Sequence, residues 1–85
     1  MIVFAAKRDC CDFDEPIGVY STLRKAQEAC ERHRAWAYYT RPGSIMVWNE
    51  AGKDAYRLHK FGTDREFFIE EYELDTDVAI DGGTV

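Results

Sequence analysis

Gly18-Val-Tyr-Ser-Thr-Leu-Arg-Lys-Ala-Gln-Glu-Ala-Cys-Glu-Arg-His33 is the stretch that decides the fold. Leu23, Ala26, Ala29, Cys30 and His33 recur at three- and four-residue steps, the spacing of one helical face. Arg24, Lys25, Gln27, Glu28, Glu31, Arg32 and Arg34 fill the remaining positions. Ser21 or Thr22 can accept a hydrogen bond from an orphan amide of the first turn. The cations Arg32, His33 and Arg34 suit the negative end of the helix dipole. These signals predict a helix over about Thr22–Arg34. Its apolar stripe is built of small residues, so a sheet must lie close against it and supply the bulk.

Outward from the helix the chain reads as strands and turns. Ile2–Lys7 is a strand with apolar residues on both faces, as in a covered, interior position. Arg8–Pro16 is polar and acidic and reads as a loop, with Ile17–Tyr20 a short extended run. Trp36–Thr40 reads as a strand whose first residues could instead extend the helix, and Arg41-Pro42-Gly43-Ser44 has turn chemistry. Ile45–Trp48 and Ala55–Phe61 form a hairpin around Gly52. There Tyr56 and Leu58 share one face, and Arg57 and His59 the other. Gly62-Thr63-Asp64 reads as a further turn. Glu66–Leu74 is the last strand, placing Phe68, Glu70, Tyr72 and Leu74 on one face and Phe67, Ile69, Glu71 and Glu73 on the other. Neither face is clean, so either both faces are partly covered or a bulge shifts the phase near Glu70. The fold expected is α+β: an antiparallel β-sheet of four to six strands with a single helix on one face. Residues 1–75 form the domain, and 76–85, with Gly82-Gly83 and no periodicity, a flexible acidic tail.

An 85-residue chain has room for one core. Its formal charge of −5 disfavours non-specific binding to nucleic acid or to an anionic membrane. The charge is unevenly spread. Asp64–Asp81 holds eight acids and one base, Arg65, for a net −7, whereas the rest of the chain is slightly basic. Three cysteines, Cys10, Cys11 and Cys30, are an odd count. Lys7-Arg8-Asp9 cuts short the apolar start, so no secretory signal is read there. No apolar run is long enough to span a bilayer. A cytoplasmic location with free thiols is the expectation.

Three features taken together resemble a type of small domain found in phage and bacterial genomes, one with no assigned activity. They are the opening strand Ile2-Val3-Phe4, the step Gly18-Val19-Tyr20-Ser21-Thr22 into a helix with Lys25-Ala26, and the closing Phe68-Ile69-Glu70-Glu71-Tyr72-Glu73-Leu74-Asp75. The resemblance covers roughly residues 1–75. It implies the same α+β fold and carries no catalytic motif onto this chain.

Protein recognition is the leading functional reading. Trp36, Tyr38, Tyr39, Arg41, Trp48 and Tyr56 are the residue types that anchor interfaces. Glu70, Glu71 and Glu73 could complement a basic partner. The expected product is a small, non-enzymatic, phage-encoded module. It would bind a host or antiviral-defence protein, inhibiting it by acidic mimicry of nucleic acid, or else bind a second copy of itself. No cofactor is expected. A second reading puts zinc or thiol chemistry on Cys10, Cys11, Cys30 and His33. Cys30 and His33 share a helical face and zinc accepts four such ligands, but adjacent cysteines rarely chelate one ion. A Cys30 disulfide to Cys10 or Cys11 would need an oxidising compartment. A third reading is nucleic-acid binding by the hairpin 45–61, with Arg41, Lys53, Arg57 and Lys60 on phosphates and aromatics on bases. Asp9, Asp12, Asp14 and Glu15 lack the glycine and distal glutamate of a calcium loop. There is no phosphate-cradling glycine loop and no nucleophile–base arrangement.

Overall fold

The computed structural model describes residues 1–10, 12–36 and 45–75. These form five strands and one helix: β1 (Ile2–Asp9), β2 (Asp14–Tyr20), α1 (Leu23–Trp36), β3 (Ile45–Trp48), β4 (Asp54–His59) and β5 (Gly62–Glu73). The sheet order is β2-β1-β5-β4-β3, and each neighbouring pair is antiparallel. The α+β architecture expected from the sequence is therefore the one observed, with β1 and β5 inside the sheet. The proposed tail, 76–85, lies outside the described residues.

Thr22 caps α1: its Oγ1 accepts from the Lys25 amide at 3.1 Å, which satisfies one of the first-turn donors. Ala26, Ala29 and Cys30 are buried along one face of the helix. They join Phe67 and Ile69 of β5, Ala6 of β1, Tyr20 of β2 and Ala55 of β4 in one core cluster. Phe4, Ile17, Leu23, Met46 and Trp48 pack around its rim. Phe67 is the largest side chain wholly enclosed. Small residues on the helix and a large one on the central strand let the two layers approach closely. Gly18 serves the same end. A Cβ there would lie 2.5 Å from the Tyr20 hydroxyl and 2.8 Å from its ring, so the tyrosine can fold across it only because the side chain is absent.

Several boundaries differ from the sequence reading, each for a physical reason. Arg8–Pro16 is mostly strand. β1 continues to Asp9 and pairs Lys7 with Pro16, Arg8 with Glu15 and Asp9 with Asp14. Proline is tolerated because β2 is an edge strand, and Ile17 bulges beside it. Trp36 extends the helix, the second of the two readings of that stretch; the rest of the expected strand, within residues 37–44, lies outside the described set. Gly62-Thr63-Asp64 is the start of β5, and Lys60-Phe61 makes the turn. Gly62 has φ +143°, a value that side-chain-bearing residues rarely adopt. The bulge is at Glu66, not near Glu70. Ala55 pairs with Phe67 and Tyr56 with Arg65, which leaves Glu66 as the extra residue. That insertion explains why Glu66 and Phe67 are both buried although adjacent in a strand. Beyond it the alternation is clean: Phe67 and Ile69 face the helix, and Phe68, Glu70 and Tyr72 the opposite side.

Phe67→Ala should cost about 3–5 kcal/mol, because the helix cannot collapse into the space vacated. Leu23→Asp, at the half-buried rim of the same seam, should cost about 1–3 kcal/mol through an unpaired carboxylate. Urea unfolding followed by circular dichroism reads both. A Phe67→Ala loss no larger than that of Leu23→Asp would show that Phe67 is not the keystone.

Candidate functional site

The sheet divides at the end where α1 stops. β1 and β5 pair only as far as Arg8 with Phe67. Past that point β1 follows β2 to Asp9, while Gly62–Glu66 of β5 stays with β4. The β1–β2 and β4–β5 hairpins are therefore not strand-paired with each other beyond Phe67. Between them lies a cleft of about 720 Å³, lined by Arg8, Asp9 and Cys10 on one side and by Arg57, Asp64, Arg65 and Glu66 on the other.

The charges in the cleft are paired. Arg8 Nε lies 2.8 Å from Glu15 Oε2, and its Nη2 donates to Cys10 Sγ at 3.1 Å. Arg57 Nη2 donates to Asp64 Oδ2 at 3.0 Å, and His59 Nε2 lies 2.7 Å from the same oxygen. Those two hydrogen bonds, Arg57's first, hold the Asp64 carboxyl below the usual carboxylate range. Arg65 Nε donates to Asp9 Oδ2 at 2.7 Å, bridging the two hairpins. Its Nη1 reaches Asp54 at 3.3 Å, and its guanidinium lies 4.5 Å from the Phe68 ring centroid. The Asp9 bond, more than any other cause, raises the Arg65 pKa. Arg34, near the end of α1, donates to Glu66 Oε1 at 2.8 Å. Glu66 is only 8% exposed, and its Oε2 is buried with no hydrogen-bond partner; Arg57 Nε is likewise buried and unpartnered.

Large apolar side chains surround this end. Phe61 of the β4–β5 turn is 85% exposed, Trp36 at the end of α1 83%, Phe13 of the β1–β2 connection 65%, and Ile45 at the start of β3 58%. Antiparallel pairing carries all four to one end of the molecule: β1, β4 and α1 run toward it, and β2, β3 and β5 start from it.

The residues singled out from sequence are dispersed. Trp36 is at the cleft end. Trp48 packs on the core from β3, with its Nε1 buried and unpartnered. Tyr56 pairs with Val47 on the side away from α1. Glu70 is held by Lys7 at 2.5 Å and Glu71 by Lys53 at 3.1 Å, whereas Glu73 is exposed opposite Ile2. Tyr38, Tyr39, Arg41 and Cys11 lie outside the described residues. Of the basic hairpin, Lys53 and Arg57 are held by Glu71 and Asp64, and Lys60 lies over Phe61. Cys30 is fully buried, and burial pushes its thiol up to about 12, far from a reactive thiolate. His33 sets its ring edge against Phe67 at 5.9 Å. Among the described residues no three metal-binding side chains come together. Sequence reasoning did not single out Phe13, Arg34, Phe61, Asp64 or Arg65, and it weighed Glu66 and Arg8 only as a candidate acid or base and as a cation beside the cysteines. The one signal was the charged run Asp64-Arg65-Glu66 set directly before Phe67-Phe68.

No protein family, curated protein or solved structure matches this chain. Fold and site together define an α+β domain with an ion-paired cleft between two aromatic-tipped hairpins.

The ion pairs set an acid limit on stability. Asp64 and Glu70 have pKa values lowered by their hydrogen bonds, Glu70's chiefly by Lys7. A lowered carboxylate contributes stability above its unfolded pKa and loses it as pH falls through the folded value. Lys7, raised chiefly by Glu70, contributes below the ordinary lysine range and loses its contribution above it. The urea midpoint should therefore be level around neutrality and fall between about pH 5 and pH 2. A combined Asp64→Asn, Glu70→Gln variant should start lower and fall less over that interval. Parallel acid slopes in the two proteins would overturn the assignment.

Proposed function

We propose that this chain is a small, non-enzymatic protein-binding module that meets its partner with the hairpin end. The observation that carries the reading is that Phe13, Trp36, Ile45 and Phe61, all heavily exposed, lie at the same end of the molecule as a cleft lined by charged residues. Aromatic anchors around arginines are the anatomy of an interface centre. Lys53 and Arg57 of the basic hairpin are engaged by carboxylates, and the chain is acidic overall, which disfavours a phosphate backbone as the ligand. Acidic mimicry of nucleic acid fares no better at Glu70 and Glu71, each held by a lysine. In its finer form the proposal keeps the partner suggested by the phage-like resemblance, a host or antiviral-defence protein whose action the module blocks.

A double variant, Trp36→Ser with Phe61→Ser, removes two anchors that contribute little to the core. Immobilised wild-type protein should capture a discrete host protein, and the folded variant should lose that capture by about tenfold or more. Equal capture by both proteins, or capture of nucleic acid alone, would overturn the proposal.

A further inference from the structure

We infer that the cleft takes an extended, uncharged peptide segment of the partner, added as a strand along the edge of β5 over Gly62–Arg65. The inference rests on the protein-binding reading and names what that site grips.

The backbone makes the first argument. Gly62–Glu66 pairs with β4 on one side, and among the described residues no strand pairs with it on the other. An unpaired row of amides and carbonyls is a template for strand addition. β2, the sheet edge on the β1 side, is guarded by Asp14, Glu15, Pro16 and a bulge. The inner edge of β5 carries no proline, and it opens into a cleft instead of onto a flat margin.

The side chains make the second argument, independently. Glu66 Oε2 is an acceptor and Arg57 Nε a donor, both buried in the cleft lining and both without a partner. Buried polar atoms in folded proteins are nearly always satisfied, so an orphan of each kind in one cleft points to an occupant offering N–H and C=O together. A peptide backbone offers both and brings no charge.

Charge narrows the choice further. Each ionised side chain of the lining already has a partner of opposite sign: Arg8 with Glu15, Asp9 with Arg65, Arg57 with Asp64, and Glu66 with Arg34. A charged ligand would have to break one of these pairs or enter uncompensated. An uncharged strand adds no charge in need of a partner, and over Gly62–Arg65 it displaces at most the Asp9–Arg65 bridge that spans the gap between the hairpins. Phe13 and Phe61, on the two hairpins that flank it, provide apolar surface for alternate side chains of such a strand.

The probe is an mRNA-displayed library of random peptides of about ten residues, the upper length of common strands, selected on the intact folded chain. The selected sequences should be poor in Asp, Glu, Lys and Arg, with aromatic or β-branched residues at every second position. The best binder is then synthesised with single backbone N-methyl groups. Methylation should weaken binding by about tenfold at alternate positions, where an N–H faces β5, and leave it unchanged between them. On the protein side, Glu66→Gln keeps an acceptor for Arg34 and loses the second one, so it should weaken the peptide by about tenfold, whereas Glu73→Gln should not. Because Glu66→Gln also removes the charge that meets Arg34, its melting curve is recorded, and the N-methyl scan stands on an unmodified protein. N-methyl sensitivity without a two-residue period, a charged consensus, or no binder at all would overturn the inference. So would self-association by light scattering that the peptide fails to compete, since a second copy would then hold the edge. If host-protein capture through Trp36 and Phe61 persists while these tests fail, protein binding stands and strand addition falls.

Discussion

Phe67 lies wholly enclosed in the core that also holds Ala26, Ala29 and Cys30. The rest of the molecule depends on that seating. A helix with a stripe of small residues has little apolar bulk of its own, so its burial depends on what the sheet presents. β5 presents Phe67 and Ile69 from the middle of the sheet, and Ala6, Tyr20 and Ala55 close the cluster from the flanking strands. Cys30 is part of this packing. Its thiol is spent on volume, and its raised pKa is a consequence of burial.

The second constraint is the extra residue in β5. Glu66 interrupts the register with β4 just where β1 leaves the sheet. The bulge turns a glutamate inward beside Phe67, and Arg34 comes from the helix to meet it. A buried carboxylate would be costly alone; paired, it ties the last turn of α1 to the mouth of the cleft. The β1–β5 pairing ends at the neighbouring residue, Phe67, so the bulge sits at the inner end of the cleft. Core packing and the cleft therefore meet at one local irregularity of the sheet.

Ion pairing reshapes the meaning of the charge pattern. Along the sequence, acids are concentrated after residue 64, which invites a picture of an exposed acidic surface. Across the sheet, Asp64, Glu66, Glu70 and Glu71 meet Arg57, Arg34, Lys7 and Lys53. Polarity along the chain becomes pairing between neighbours, because antiparallel strands bring distant segments side by side. Surface pairs of this sort add modestly to stability. Their larger effect is on recognition, since they leave the cleft polar but balanced and the apolar tips as its most exposed features.

The sequence by itself determined the helix, its cap, its small-residue face, the interior character of β1, and the antiparallel α+β class. Each of these depends on residue periodicity or on local turn chemistry. The two faces of β5 beyond Glu66 were legible for the same reason. The position of the bulge was not, because an inserted residue is defined by what stands opposite it, and Ala55 and Tyr56 are distant in sequence from Arg65 and Phe67. Arg8–Pro16 read as a loop because its pairing gain comes from β1 and from the Arg8–Glu15 contact. The cleft was invisible for the deepest reason. It is made by the ends of separate strand pairs, and only the tertiary structure decides where two pairings part and which side chains are left facing the gap.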